Sequence, residues 1–176
     1  MTRAWLAALA LLGGCAQVEI KPPAAGALEF ELAGRIAARY GAESFSGNVA
    51  WRHARGGDEM LISTPFGQGV ARIVREGEAV SLTTAEPREY RAVDAESLTE
   101  RVLGFRVPLL GLADWVRARA SEGAPARAEY SPDGKLAKLE QDGWRIEYQE
   151  YEGARPARLR LLYQGVELRL AVTKWN

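Results

Sequence analysis

The chain has 176 residues, of which 47% are apolar and 26% are charged, with 23 acidic and 23 basic side chains. This length suits one domain with its own core, and the scattered, balanced charge argues against a nucleic-acid binder, which should show a clustered basic surface. The single cysteine excludes an intramolecular disulfide, and with only one histidine beside it a structural zinc site is disfavoured. We expect no metal and no cofactor.

The N-terminus is typical of an exported lipoprotein. After Arg3, an apolar run too short to span a bilayer leads to Leu-Gly-Gly-Cys, which resembles the lipobox of bacterial lipoproteins. In a lipobox the chain is cut before the cysteine and lipid is attached to the thiol. We therefore predict a signal peptide over 1–14, an acylated Cys15 followed by a flexible tether over 15–27, and a folded domain over 28–176. The alternative is an incidental cysteine beside a simple export signal.

The residues that follow Cys15 bear on the membrane. Ala16 and Gln17 stand where many inner-membrane lipoproteins of enteric bacteria carry an aspartate. The absence of aspartate at these two positions favours the outer membrane.

Alternation with a period of two dominates the domain. Phe45, Gly47, Val49 and Trp51 share one face of a predicted strand, and the segments around 144–151 and 166–175 alternate in the same way. Such runs are typical of antiparallel strands with one apolar and one wet face. Turn signals such as Asp-Gly separate them, and about eleven short strands predict a barrel or a sandwich.

Two helical segments interrupt the strands. Asp94 is a predicted N-cap, Leu98 and Val102 share an apolar face, and Gly104 is a predicted stop. The segment 109–121 carries a second apolar face. Two modest helices over a long curved sheet suggest either a concave apolar ligand site or a fully packed core.

The stretch 63–70, "STPFGQGV", places one aromatic residue inside a turn. Pro65 presets the backbone for a turn and Gly67 tolerates the geometry after it. From the residues alone, Phe66 either stands at the tip of the turn or folds back onto the sheet as core.

The order and spacing of these segments resemble the LolB family over nearly the whole mature chain. The resemblance rests on the lipobox, on Trp51 as the end of the second strand, and on these segments: "LAGRIAARY" (32–40), "ISTPFG" (62–67), "DAESLTERVLGFRVPLLGLADWV" (94–116), "GWRIEYQEY" (143–151), "RPARLRL" (155–161) and "VELRLAVTKW" (166–175). No single segment is diagnostic, but their order is specific.

The resemblance implies a mainly β fold, in which a single curved antiparallel sheet forms an unclosed β-barrel of about eleven strands, with two or three helices over its apolar concave side. It implies a monomer without catalytic activity, lipid-anchored in the outer membrane and facing the periplasm. A LolA-like periplasmic carrier would deliver lipoproteins, whose acyl chains enter the cavity before the protein inserts them into the inner leaflet. The implied partners are this carrier, the acyl chains and outer-membrane phospholipid, with no nucleic acid.

The resemblance also implies a site. Phe66, between Pro65 and Gly67, takes the place of the exposed apolar loop residue (leucine in the best-known member) that the family needs for membrane insertion. The apolar positions expected to line the acyl cavity, unless they are ordinary core, are Ile36, Val49, Trp51, Ile62, Leu98, Val102, Trp115, Trp144 and Ile146.

Two other functions compete with this one. A non-transferring scaffold or adaptor of an outer-membrane assembly machine would need an exposed protein-binding face instead of a cavity. A lipoprotein hydrolase lacks support, because there is no G-x-S-x-G motif. His53 is expected to be solvated beside a turn without an acid partner, and Glu147 and Glu150 are expected on opposite faces. Arg35 and Arg39 are expected in solvent, or in a basic strip that steers an acidic carrier.

Overall fold

The computed structural model describes residues 27–86, 88–103 and 105–176. Over these ranges the chain forms eleven β-strands and two α-helices. In chain order they are β1 (Leu28–Tyr40), β2 (Glu43–Ala54), β3 (Gly57–Ser63), β4 (Gly69–Glu76), β5 (Ala79–Thr84), β6 (Glu89–Ala92), α1 (Ala95–Leu103), α2 (Leu109–Trp115), β7 (Ala126–Tyr130), β8 (Leu136–Gln141), β9 (Trp144–Glu152), β10 (Arg155–Tyr163) and β11 (Val166–Trp175).

The strands form one antiparallel sheet with the order β6-β5-β4-β3-β2-β1-β11-β10-β9-β8-β7. The first and last strands of the domain, β1 and β11, pair in the middle, and β6 and β7 are the two edges, so the sheet does not close into a barrel. Because β6 and β7 are consecutive in the chain, the segment between them has to cross the sheet from edge to edge. That segment contains both helices, and it covers the apolar face. The predicted fold class is confirmed.

The alternation of apolar and polar residues accounts for the two faces of the sheet. On β9, Trp144 and Ile146 are buried while Arg145 between them is exposed. β11 repeats the pattern, with every second residue buried from Val166 to Val172. Successive side chains of a strand point to opposite faces, so each strand supplies apolar side chains to one side only.

Short turns with residues of positive φ connect the strands. Asp142 (φ 51°) and Gly143 (φ 78°) join β8 to β9 as a two-residue turn. Positive φ at both central residues matches the right-handed twist of the strands that they connect. The turn after β7 is closed by the N–H of Gly134, which donates to the carbonyl oxygen of Ser131 at 2.9 Å. Both turns were predicted from the sequence.

Two glycines allow the centre of the sheet to bend. A Cβ at Gly34 would lie 2.2 Å from the carbonyl oxygen of Ala171, where the β1–β11 register shifts. A Cβ at Gly47 would lie 2.2 Å from the carbonyl oxygen of Ser63. No side chain fits at such distances, and buried glycines within strands mark tight bends. The sheet therefore curves around its apolar face.

The first helix begins as its sequence predicts. Asp94 accepts a hydrogen bond at Oδ1 from the backbone N–H of Ser97, at 2.7 Å, which satisfies one of the free donors of the first turn. Leu98 is fully buried and Val102 half-buried, so this face of α1 packs towards the sheet. Trp115, at the end of α2, is also fully buried.

Candidate functional site

Residues 64–68 form a tight loop between β3 and β4. The N–H of Thr64 donates to the carbonyl oxygen of Gln68 at 2.8 Å. The N–H of Gly67 donates to the carbonyl oxygen of Thr64 at 2.9 Å. Pro65 takes the first central position, which suits its restricted φ, and Gly67 follows with φ 88°. Phe66 is the other central residue, and it is 94% exposed. The loop therefore presents an aromatic ring to the surroundings.

Hydrogen bonds to polar groups hold this loop. The side chain of Asn48 on β2 donates from Nδ2 to the carbonyl oxygen of Thr64 at 3.1 Å. The N–H of Gln68 donates to Oγ1 of Thr64 at 3.2 Å. The loop thus keeps its shape without packing of Phe66. Asn48 was not singled out from the sequence, where it is one more polar residue on the wet face of a strand.

The apolar face has a closed end and an open end. At the closed end Phe30 and Trp51 are 4% and 2% exposed, and their rings meet edge to face at 5.1 Å. Along β1 towards the β1–β2 turn the same face becomes half-buried, and Tyr40 is 41% exposed. We use the name rim for five half-buried apolar residues that border the core: Ile36, Ala38, Ile62, Val102 and Phe105.

The structure brings the predicted lining residues to one side of the sheet. Three of them, Ile36, Ile62 and Val102, belong to the rim. The other six are between 0% and 4% exposed and pack together in the apolar core: Val49, Trp51, Leu98, Trp115, Trp144 and Ile146. Their assignment to an acyl cavity stays a prediction.

The two helices are attached to the sheet differently. Nε1 of Trp115 donates to Oε1 of Gln141 at 2.8 Å, and the hydroxyl of Tyr148 donates to the carbonyl oxygen of Trp115 at 2.8 Å. Burial raises the pKa of Tyr148, which therefore stays a neutral donor. On α1, Arg101 donates to the carbonyl oxygen of Arg91 at 2.6 Å from an exposed position. Buried hydrogen bonds thus fix the end of α2 in the core.

The prediction of a solvated His53 is wrong. His53 is 5% exposed, and its Nδ1 lies 2.6 Å from Oδ1 of Asp58 on the neighbouring strand. Trp51 donates from Nε1 to the same oxygen at 2.8 Å, and Arg75 donates from Nε to Oδ2 at 2.5 Å. The register of three strands creates this cluster, because His53 and Arg75 both pair with Asp58. The sequence alone does not reveal that register.

The buried cluster has a structural role. Burial acts to raise the pKa of Asp58, but hydrogen bonds from His53 and Trp51 and the charge of Arg75 outweigh it, so the pKa lies below its usual value. All of these groups are nearly inaccessible to solvent. The ionised carboxylate therefore joins three strands at the closed end, where a substrate could not reach it.

The prediction that Glu147 and Glu150 lie on opposite faces of their strand is also wrong. Glu147 and Glu150 lie on the same polar face, because β9 pairs with β10 through an irregularity at which Gln149 has no partner. Glu147 lies 3.4 Å from Arg160 and Glu150 lies 3.5 Å from Arg158. Each carboxylate is thus in an ion pair, and the two do not form a catalytic pair.

Other sequence predictions concern membranes and metals. In the described ranges, no group of three or more His, Cys, Asp or Glu side chains is placed to hold a metal ion. The helices of these ranges are too short or too polar to cross a membrane. Cys15, the signal peptide over 1–14, most of the tether over 15–27 and the helix stop at Gly104 lie outside the described residues.

Comparison with known proteins places the chain in a family. Residues 28–175 match the family profile described as "Outer membrane lipoprotein LolB". The chain is 41% identical over 172 residues to the outer-membrane lipoprotein LolB of Thiobacillus denitrificans, covering 94% of this chain and 91% of the relative. The LolB of Nitrosomonas europaea is 37% identical over 153 residues, covering 84% of this chain and 72% of the relative.

A solved structure shares the fold at much lower identity. A DUF1329 family protein from Desulfovibrio piger aligns over 84% of each chain with 7% identity and a TM-score of 0.51. This likeness concerns the fold alone, whereas the sequence matches cover most of this chain and more than two thirds of each relative. The chain belongs to the LolB family of outer-membrane lipoproteins.

Proposed function

We propose that this protein accepts lipoproteins from a LolA-like periplasmic carrier and inserts them into the inner leaflet of the outer membrane. Family membership supports a role in outer-membrane lipoprotein localisation. The observation that carries the finer proposal is an apolar core with a half-buried rim, bordered by a loop that exposes Phe66 to 94%. The rim offers a surface to acyl chains, and Phe66 on the loop offers a surface to the lipid bilayer.

Acyl chains first contact the rim. Hiding a chain from water stabilises the complex by about 0.8 kcal/mol per CH₂ group. Ile36 and Ile62 already expose part of their side chains, so a chain binds there without rearrangement. Deeper binding requires a helix to move, because Leu98 of α1 and Trp115 of α2 are fully buried against the core. Of the two helices, α1 is the one that yields, since buried hydrogen bonds hold the end of α2.

Phe66 acts at the membrane and takes no part in acceptance. Burying a phenylalanine side chain in lipid is worth roughly 1.5–3 kcal/mol, which is too little to anchor a protein. The lipid on Cys15 provides the anchor, and it holds the chain in the outer membrane as a monomer that faces the periplasm. The ring at the loop tip instead brings the rim to the bilayer and disturbs the interface while the acyl chains leave. Handover involves no covalent step, so no catalytic group is required.

The substitution Phe66→Glu tests this proposal. Acceptance is measured by the displacement of a hydrophobic fluorescent probe with an acylated peptide, and insertion by transfer of a lipoprotein from the carrier to liposomes. We expect normal displacement and strongly reduced transfer, because the carboxylate prevents the loop from entering lipid. Phe66→Leu should keep transfer. Tyr130→Glu is the matched control, since Tyr130 is 67% exposed on the edge strand β7, away from the loop.

Two results would count against the proposal. Full transfer by Phe66→Glu would remove the loop from the mechanism. Failure of acylated peptides to displace the probe from the unsubstituted protein would remove the acyl site and favour a scaffold lipoprotein.

A further inference from the structure

The polar face of the sheet carries a groove that acyl-chain binding does not use. It has a volume of about 810 Å³ and lies over the central strands, on the side opposite the helices. Its floor is formed by small residues, among them Ala37 and Ala171, and four arginines line it: Arg35, Arg158, Arg160 and Arg169. A depression of this size is large enough for a small ligand.

Positive charge is in excess around the groove. Three carboxylates offset three of the arginines through the pairs Glu147–Arg160 at 3.4 Å, Glu150–Arg158 at 3.5 Å and Glu167–Arg169 at 2.7 Å. Among the residues that the structure describes, no carboxylate lies within ion-pair distance of Arg35 or of its neighbour Arg39. Arg39 lines a second depression of about 240 Å³ that continues the groove. The unmatched charge is therefore concentrated on β1.

Two arginines of the groove are held close together by one carboxylate. Arg160 and Arg169 are directly opposite each other on β10 and β11, a pairing of like charges that weakens a sheet. Glu167 accepts a hydrogen bond from Nε of each, at 2.8 and 2.7 Å, and these bonds lower its pKa. One carboxylate thus bridges two guanidinium groups, with Glu147 as a further partner of Arg160, so this pair adds donors to the groove while the excess positive charge stays at Arg35 and Arg39.

The position of the groove indicates which anion. Pro65 lines it, and the next residue is the exposed Phe66. An aromatic ring prefers the boundary between headgroups and acyl chains, so a groove beside that ring lies at the depth of the lipid phosphates. Arginine suits this ligand, because its planar guanidinium can donate two parallel hydrogen bonds to phosphate.

We propose that this groove binds the phosphate-bearing headgroup of an anionic phospholipid and so orients the Phe66 loop on the bilayer. The inference rests on the proposed function, because it requires the loop to meet a membrane. Electrostatic attraction and one inserted ring are weak separately, and peripheral proteins combine such signals to bind a membrane.

The substitution Arg35→Gln tests the groove, because Arg35 is exposed and removing its charge breaks no ion pair. The mature chain 15–176 with Cys15→Ala serves as background, so that neither the signal peptide nor an acyl anchor masks the difference. Binding is measured by flotation with vesicles of phosphatidylcholine alone and of phosphatidylcholine mixed with phosphatidylglycerol. We expect about fivefold weaker binding to the mixed vesicles, which corresponds to about 1 kcal/mol for one arginine near an anionic surface. Binding to neutral vesicles should not change.

Arg127→Gln is the matched control, since Arg127 is also exposed but lies on the edge strand β7, outside the groove. Circular dichroism melts establish that each variant is folded. Phe66→Glu should weaken binding to both vesicle types. If Phe66→Glu binds neutral vesicles as well as the parent does, the proposed function fails. If Arg35→Gln keeps the parent's preference for mixed over neutral vesicles, the groove assignment alone fails.

Three results would overturn the assignment. The first is equal binding of Arg35→Gln and Arg127→Gln to mixed vesicles. The second is undiminished binding of the unsubstituted protein to mixed vesicles in excess inorganic phosphate at constant ionic strength, because a site that holds the lipid phosphate should also accept the free ion. The third is slower uptake from the carrier by Arg35→Gln with unchanged vesicle binding, which would assign the groove to an acidic protein partner.

Discussion

Asn48 of β2 donates a hydrogen bond from Nδ2 to the carbonyl oxygen of Thr64, 3.1 Å away, and so ties the sheet to the loop that exposes Phe66. The bond does not involve the ring. Its effect is to hold the first residue of the turn, so that the tip keeps one orientation relative to the sheet. A membrane-inserting residue benefits from such a base, because a loop ordered before contact loses less conformational entropy on binding.

Removing this bond should loosen the loop. We expect Asn48→Ala to cost about 1 kcal/mol, typical of one net hydrogen bond. Backbone amides of residues 64–68 should exchange faster with deuterium, and transfer to liposomes should fall while acceptance of acylated peptides stays normal. The control is Ser44→Ala, an exposed residue of the same strand. Unchanged exchange in this loop would show that Asn48 does not order it.

The rim can be tested with a charge. Val102 is a half-buried rim residue on α1, so a carboxylate at this position would meet a bound acyl chain. We expect Val102→Glu to bind an acylated peptide at least about tenfold more weakly, because burying a charge against an acyl chain costs more than the 1.4 kcal/mol that corresponds to tenfold. Probe displacement gives the affinity.

Val93→Glu supplies the comparison for this prediction, since Val93 is 80% exposed and close in sequence. It should bind the peptide normally. Equal affinities for the two variants would place the acyl chain away from α1.

The closed end should make the protein sensitive to acid. The pKa of Asp58 is lowered in the folded state: burial opposes this shift, but the bonds from His53 and Trp51 and the charge of Arg75 outweigh it. A carboxylate with a depressed pKa contributes stability that is fully present above its unfolded pKa of about 3.9. That contribution is lost as the pH falls through the lower pKa of the folded state.

Asp58→Asn should therefore destabilise the protein at neutral pH by about 3–5 kcal/mol, because Arg75 is left buried without its partner. The free energy of unfolding from urea titrations at several pH values measures both effects, and the variant should lose part of the decline in acid. Asp142→Asn is the control, since this exposed turn residue (φ 51°) has a conformation that asparagine adopts readily. A similar acid decline in Asp58→Asn and the parent would assign acid sensitivity to other groups.

The sequence alone determined the local structure of this protein. Alternation placed the two faces of strands such as β9, the Asp142-Gly143 pair marked a hairpin, and Asp94 marked the start of α1. These features depend on residues close together in the chain, through side-chain periodicity, turn geometry and capping. The turn at Pro65 and Gly67 belongs to the same class, whereas the bond from Asn48 and the exposure of Phe66 came only from the tertiary structure.

Only the tertiary structure decided which distant residues meet. The His53–Asp58–Arg75 cluster and the shared face of Glu147 and Glu150 both follow from strand register, and a slip or irregularity of one residue changes the face of every side chain after it. The groove near Arg35 arises in the same way, because arginines from strands far apart in sequence become neighbours only when β1 pairs with β11. Long-range pairing depends on the packing of the whole sheet, which no short segment of the chain encodes.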